Sequence, residues 1–435
     1  EEGKRKEVVS YFDGSLRNRQ SVTKMNSDRN LLVGETIYDF QGRPSVNVLP
    51  VPIDMPTCYD DASGSLGFYP NFNQDDSTFA YSRNDFDVDN ANCIVNAAPM
   101  STVSGASHYY SPANPNQEGQ QAFLPDGKKY PFTQVEYTPD NTGRIKRQGG
   151  VGNQHQLNSE HETKYFYGQP SQIELDRMFG SEVGDATHYK KNVMVDANGQ
   201  VSVTYLDQEG RTIATALAGD TAKGLEKITS NKNQPAVLLT ADLFNKDANG
   251  VSKLDTVNAA GNALEFSTQL LVAYNSQYNF SYSLEIDTMP DSCLANAVCF
   301  SCVYDLEMHV FDDCATDLLA NYNGGVTLKK TIGHFTYDVN NNLVFNTSCT
   351  GPTLLTELDT FTLFLQAGNY TVSKVLTVNQ QAINFYVQQY LDTTKNTCVK
   401  SENDFIQEAL AGVDTSGCHI NCKTCAASLG DRDAF

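Results

Sequence analysis

The chain reads as mainly β. An irregular sheet of β-hairpins is followed by a cysteine-rich β-sandwich that ends in two short helices. Three observations predict this. A turn motif of Tyr, Asp, Gly and Arg recurs through the first half, flanked by residues that alternate as strands do. Residues 264–378 run as consecutive alternating segments with turns at short intervals. Beyond them the apolar period lengthens to that of a helix.

The hairpin motif has three close copies: Tyr38-Asp39-Phe40-Gln41-Gly42-Arg43, Tyr137-Thr138-Pro139-Asp140-Asn141-Thr142-Gly143-Arg144 and Tyr205-Leu206-Asp207-Gln208-Glu209-Gly210-Arg211. Tyr11-Phe12-Asp13-Gly14-Ser15-Leu16-Arg17 is a looser one, and Tyr337-Asp338-Val339-Asn340 a degenerate one. Asp39, Asp140 and Asp207 open the turns by bonding the backbone ahead of them. Gly42, Gly143 and Gly210 accept the left-handed conformation at the turns' ends. Val201, Val203 and Tyr205 fall on one strand face, with Ser202 and Thr204 opposite. Arg43, Arg144 and Arg211 are expected to pair across strands with acidic neighbours.

These segments resemble the YD repeat of Rhs-type proteins, and most closely the very large secreted Rhs-like proteins of Bacteroidetes. Residues 11–52, 130–164 and 188–219 carry the resemblance. It implies a β-strip that coils toward a hollow shell, a bacterial surface context and export by the type 9 secretion system. Tyr38 and Tyr137 stand far beyond a ~20–50-residue repeat period, so the array is read as interrupted and the shell as partial.

The interruption is residues 53–130, rich in Tyr, Asn, Ser, Pro and Asp, read as a loop-rich insertion on the β scaffold. Within it Asp85, Asp87 and Asp89 alternate and offer oxygen ligands for a structural calcium ion. Asn90 and Asn96 stand where an EF-hand has Gly and Glu, so a solvated turn is the favoured reading. Asn245, Asp247, Asn249 and Asp255 form a similar set. Ser171-Gln172-Ile173-Glu174 is a capping box that starts a short helix, with Leu175, Met178 and Phe179 toward the sheet.

In the second half, strands are expected at 266–274, 278–286, 298–310, 326–335 and 361–378. The last is divided by a hairpin turn at Gly368-Asn369. Ile383, Tyr386, Val387, Tyr390 and Leu391 make one helical stripe. A second helix follows Ser401 and turns Phe405, Ile406, Ala409 and Leu410 inward. The resulting units are 1–225, 226–400 and a helix with a cysteine-rich linker at 401–435. Both chain ends read as cuts in a longer polypeptide.

The eleven cysteines are Cys58, Cys93, Cys293, Cys299, Cys302, Cys314, Cys349, Cys398, Cys418, Cys422 and Cys425. Cys299-x-x-Cys302 and Cys422-x-x-Cys425 have zinc-ribbon spacing. Cys299 and Cys302 sit inside a strand pattern, which sends them to opposite faces, so disulfides of an extracellular protein are favoured. The odd count leaves one thiol free or paired with further chain.

A net charge of −21 disfavours nucleic acid and anionic lipid as partners, and no run of ~18 apolar residues predicts a membrane span. Seven scattered histidines and the lack of a P-loop or G-x-S-x-G elbow argue against an enzyme and call for no cofactor. The expected function is structural: a segment of a secreted or cell-surface β scaffold. Its partners are the rest of its own chain, the secretion machinery and surface proteins. The alternative is an adhesin module that binds glycans or proteins.

Overall fold

A computed structural model describes residues 6–25, 30–54, 66–86, 97–219, 238–243, 254–290, 299–301, 303–320, 328–345, 354–394 and 402–411. The described chain is mainly antiparallel β with few short helices. Its first unit is a ten-stranded sheet whose strands neighbour one another in sequence order. They are β1 (Lys6–Phe12), β2 (Asn18–Met25), β3 (Asn30–Tyr38), β4 (Pro44–Asp54) and β5 (Phe132–Tyr137), then β6 (Ile145–Gly149), β7 (Thr163–Gly168), β8 (Lys190–Val195), β9 (Val201–Leu206) and β10 (Thr212–Ala218).

The insertion does not interrupt this sheet. β4 pairs directly with β5, Val46 opposite Gln134, although residues 55–131 lie between them. Among its described residues the insertion carries two short α-helices, α1 (Arg83–Phe86) and α2 (Gly105–Tyr109), and a 3-10 turn at Gly119–Phe123. Its Tyr81, Phe86, Met100 and Ala106 are buried against Ile37, Val46, Val48, Val51 and Phe132 of the sheet. Polar side chains of the sheet stitch it down. Gln20 exchanges two hydrogen bonds with the Tyr69 backbone, at 3.0 and 2.8 Å, and Gln134 Nε2 donates to the Phe86 carbonyl. Gly105, at φ +59°, lies so close to Asn73 that an added Cβ would sit 2.2 Å from its Oδ1.

The capping box forms as the sequence predicts. Ser171 accepts from the Glu174 N–H, Glu174 accepts from the Ser171 N–H, and α3 spans Gln172–Phe179. Leu175 is fully buried on Phe166, Val193 and Val203, whereas Met178 and Phe179 are exposed. The predicted face of β9 is also found, with Val201, Val203 and Tyr205 all buried.

The second unit is a sandwich. One sheet is ordered β11 (Thr256–Val257), β12 (Ala263–Val272), β20 (Gly368–Val378), β15 (Val303–Phe311) and β16 (Leu328–Gly333). The facing sheet is β14 (Cys299–Ser301), β13 (Ser276–Pro290) and β19 (Leu354–Leu365). Leu270, Val272, Leu306, Val310 and Ile332 of the first meet Tyr282, Leu284, Phe361 and Leu365 of the second in one core. A hairpin of β17 (Phe335–Tyr337) and β18 (Leu343–Phe345) forms a two-stranded sheet of its own, with Phe335 and Phe345 packed in one cluster with Val303, Ala382 and Tyr386.

Gly368-Asn369 is not a hairpin turn. β19 pairs with β13, and β20 pairs with β12 and β15, so the chain crosses from one sheet to the other here. Side chains satisfy the backbone at the crossing. The Tyr370 hydroxyl donates to the Gln366 carbonyl and accepts from its N–H, and Asn275 accepts from Ala367. These bonds remove the need for a β19–β20 ladder.

The helices also depart from expectation. In α4 (Gln380–Thr394), Ala382 and Tyr386 are buried with Val303, while Val387 and Leu391 face outward. In α5 (Glu402–Ala411), Phe405, Ile406, Ala409 and Leu410 are exposed rather than inward. Their spacing makes an apolar stripe, but no described residue covers it.

Candidate functional site

The recurrent Asp turns share one geometry. In the Asp39 turn, the Asp39 N–H donates to the Arg43 carbonyl and the Gly42 N–H to the Asp39 carbonyl, at 2.9 and 3.0 Å. Gly42 sits at φ +80°, so the turn is a type I turn closed by a left-handed residue. The Asp39 carboxylate accepts from the Gln41 N–H (2.9 Å), the Arg43 N–H (2.8 Å) and Arg43 Nε (2.7 Å). Asp13 with Arg17 and Asp207 with Arg211 repeat the Arg contacts. Asp140, in a longer turn, accepts from Thr138, Thr142 and Arg144.

The expected partner of the arginines is thereby corrected. Arg43, Arg144 and Arg211 pair with the aspartate four residues earlier in their own turn, not with an acid across the sheet. A turn that brings residues i and i+4 together makes this the nearest carboxylate.

What crosses the sheet is the guanidinium face. Arg17 lies over the Tyr38 ring, Arg43 over Tyr137 and Arg144 over Tyr167, at 5.4, 4.2 and 4.7 Å from the centroids. Each tyrosine hydroxyl returns a hydrogen bond to the residue after the arginine. Tyr38 donates to the Asn18 carbonyl, Tyr137 to Pro44 and Tyr167 to Ile145, all within 3.0 Å. Three rungs therefore tie β2 to β3, β4 to β5 and β6 to β7.

Tyr11 and Tyr205 do not belong to these rungs, although the motif aligns them with Tyr38. Tyr38 is level with Pro44 in its hairpin, and the equivalent positions in the other two are Phe12, level with Asn18, and Leu206, level with Thr212. Alternation then turns Tyr11 and Tyr205 to the opposite face. There the Tyr11 hydroxyl donates to the Leu66 carbonyl. Tyr205 bonds Glu174 beside Lys191, and burial first, then the Glu174 charge, pushes its phenol up.

Hydrogen bonds set the electrostatics of the turns. The Arg17 N–H, first among its donors, holds Asp13 below the usual carboxylate range. The Arg211 side chain does the same for Asp207, and Thr138 for Asp140, although all three are close to solvent.

The other predicted site residues are placed as follows. Asp85 accepts from the Ser82 N–H and hydroxyl, closing the first turn of α1. Asp87 and Asp89 lie outside the described residues, as do Asn245, Asp247 and Asn249. Asp255 instead pairs with Lys374 Nζ at 2.8 Å inside the sandwich. Among the described residues no group of three or more His, Cys, Asp and Glu is gathered as a metal ion would need. Of the cysteines, Cys314 is described in full and Cys299 lies in β14. Cys58, Cys93, Cys293, Cys302, Cys349, Cys398, Cys418, Cys422 and Cys425 lie outside. The described helices include none long and apolar enough to cross a membrane.

A cleft of about 260 Å³ lies between the ten-stranded sheet and the sandwich, lined by Lys146, Arg147, Glu162, Lys164, Asp313 and Tyr370 among others. It was not legible in the sequence. Arg147 Nε meets Glu136 Oε2 at 2.6 Å and lies 3.8 Å from Glu162, so the charges on the sheet side are already partnered.

Residues 1–100 match the family model described as a domain of unknown function, DUF6443. That match covers β1–β4 and part of the insertion. No curated protein matches the chain. Among solved structures, the C-terminal residues 323–701 of the P. aeruginosa R1 pyocin fibre align over 86% of this chain and 83% of that one, at 9% identity and a TM-score of 0.10. The infectious bursal disease virus Gx strain aligns over 57% and 55%, at 13% identity and a TM-score of 0.09. Both scores are too low to support an argument from shape.

Proposed function

We propose that this chain is a structural segment of a large secreted or cell-surface Rhs-like protein, and that its work is to build and hold a β wall. The ladder carries the reading. Three arginine–tyrosine rungs join successive strand pairs, and each arginine is held by the aspartate of its own turn. An array of hairpins needs such links between neighbours, because one hairpin cannot bury a face alone. The resemblance to YD repeats supports an Rhs-like family, a surface location and export by the type 9 secretion system. A disulfide at Cys314 supports an oxidising compartment, and the charge of −21 supports a soluble outer surface.

The test is the full-length polypeptide in the cell that encodes it. Protease added to intact cells is expected to release the chain, and electron microscopy of the purified protein to show a curved β wall. A chain protected inside intact cells, with Cys314 alkylated without reduction, would overturn the proposal.

A further inference from the structure

The ten-stranded sheet has two edges, and among the described residues β1 and β10 each pair on one side only. Natural edges are blunted by charge, proline or short length. β10 reads TIATALA, seven residues without a charge or proline, and exposes Ile213 and Leu217. β1 is also seven residues long and exposes Val8 and Phe12.

The rungs supply a register rule. Gln20 opposite Glu35 brings Arg17 level with Tyr38, and Val46 opposite Gln134 brings Arg43 level with Tyr137. Arg147 opposite Lys164 brings Arg144 level with Tyr167. Each arginine that opens an even-numbered strand thus meets the aromatic residue at the end of the next odd-numbered one. Arg211, 71% exposed, opens β10 and meets no such ring among the described residues. Phe12, 58% exposed, ends β1 at the position Tyr38 holds in its own hairpin. Residues 220–237, which follow β10, contain no aromatic residue to take that place.

We propose that β10 of one copy pairs with β1 of a second copy, antiparallel, with Arg211 over the partner's Phe12. The rule then sets Thr212 opposite the partner's Tyr11, Thr215 opposite the partner's Val8 and Leu217 opposite the partner's Lys6. The rung is made by the ring alone, because phenylalanine has no hydroxyl to return. Two different edges meet, so the contact is heterologous and each added copy offers a fresh β10.

Sedimentation velocity of the 435-residue chain tests this. The wild type is expected to self-associate with concentration. Phe12→Lys places a cation against Arg211, and Leu217→Lys places one against the partner's Lys6. Each is expected to weaken self-association by about tenfold or more. An equimolar mixture of the two variants restores one native junction and is expected to yield a dimer capped at both ends. Circular dichroism confirms that both variants keep their fold, and Ile213→Lys replaces Leu217→Lys should that variant unfold. A monomeric wild type, or a mixture no more associated than either variant alone, overturns the proposal. A monomeric result leaves the scaffold reading standing, since the rungs within one chain do not depend on the junction.

Discussion

Asp39→Ala tests whether the turn aspartates hold the sheet or merely decorate its rim. Asp39 is 5% exposed and accepts three hydrogen bonds, two from backbone N–H groups and one from Arg43 Nε. The backbone donors lie near water and recover partners, so together they account for about 1 kcal/mol. The charge-assisted bond is the larger part, about 2 kcal/mol, because the Arg43 side chain is only 19% exposed and is fixed over Tyr137. The expected loss is about 3 kcal/mol, read as a fall in the urea midpoint at unchanged slope. Asp207→Ala, at a solvated turn whose Arg211 has no described ring above it, is expected to cost clearly less. A cycle with Arg43→Ala should show the two residues coupled by at least about 1 kcal/mol. Equal losses at Asp39 and Asp207, or additive effects of Asp39→Ala and Arg43→Ala, would refute the idea that turn and rung act as one unit.

Other perturbations follow from the same geometry. Leu16 holds φ +60° with its side chain 84% exposed, where the Asp39 turn has Gly42; Leu16→Gly is expected to raise stability by about 0.5–1 kcal/mol in urea melts. Asp13, Asp140 and Asp207 have carboxyls lowered by hydrogen bonding, so their contribution is complete above the unfolded range near pH 4 and is lost as pH falls through the lower folded values. Carbon-detected NMR titration should find all three titrating below the usual carboxylate range. Lys374→Met removes the ammonium paired with the buried Asp255 and is expected to cost about 3 kcal/mol, whereas Lys374→Met with Asp255→Leu should recover much of it in the same melts.

The parts legible in the sequence are those whose partners lie within a few residues. The Asp39 turn closes over five residues and the Ser171–Glu174 box over four, so residue type and spacing suffice. The burial of Val201, Val203 and Tyr205 follows equally from alternation. Long-range choices were not legible. Whether the chain turns back at Gly368 or crosses to another sheet depends on Asn275, 92 residues from the Ala367 N–H it accepts. The face of a tyrosine depends on the residue count from strand end to turn. Tyr38 precedes its aspartate by one residue and Tyr205 by two, and that single residue sends Tyr205 to the buried face. Spacing alone likewise assigned α5 an inward stripe, although amphipathicity does not specify which body covers it.

The motif is thus a composite of two devices with different reach. The aspartate cage is local, and it recurs where no arginine follows. Asp338 accepts from the Asn340 and Asn342 N–H groups, and Asp312 from those of Cys314 and Thr316, both outside the ten-stranded sheet. Such turns specify a hairpin and nothing larger. The rung is non-local: Tyr137 donates to the Pro44 carbonyl across 93 residues of chain. An insertion placed between a rung's two members lengthens a loop, and the closing entropy rises only with the logarithm of its length. An insertion inside a turn would break the cage outright. The long insertion here occupies the permitted place, between β4 and β5 at the edge away from the Asp turns. There the array tolerates 77 residues or so while Arg43 still finds its ring.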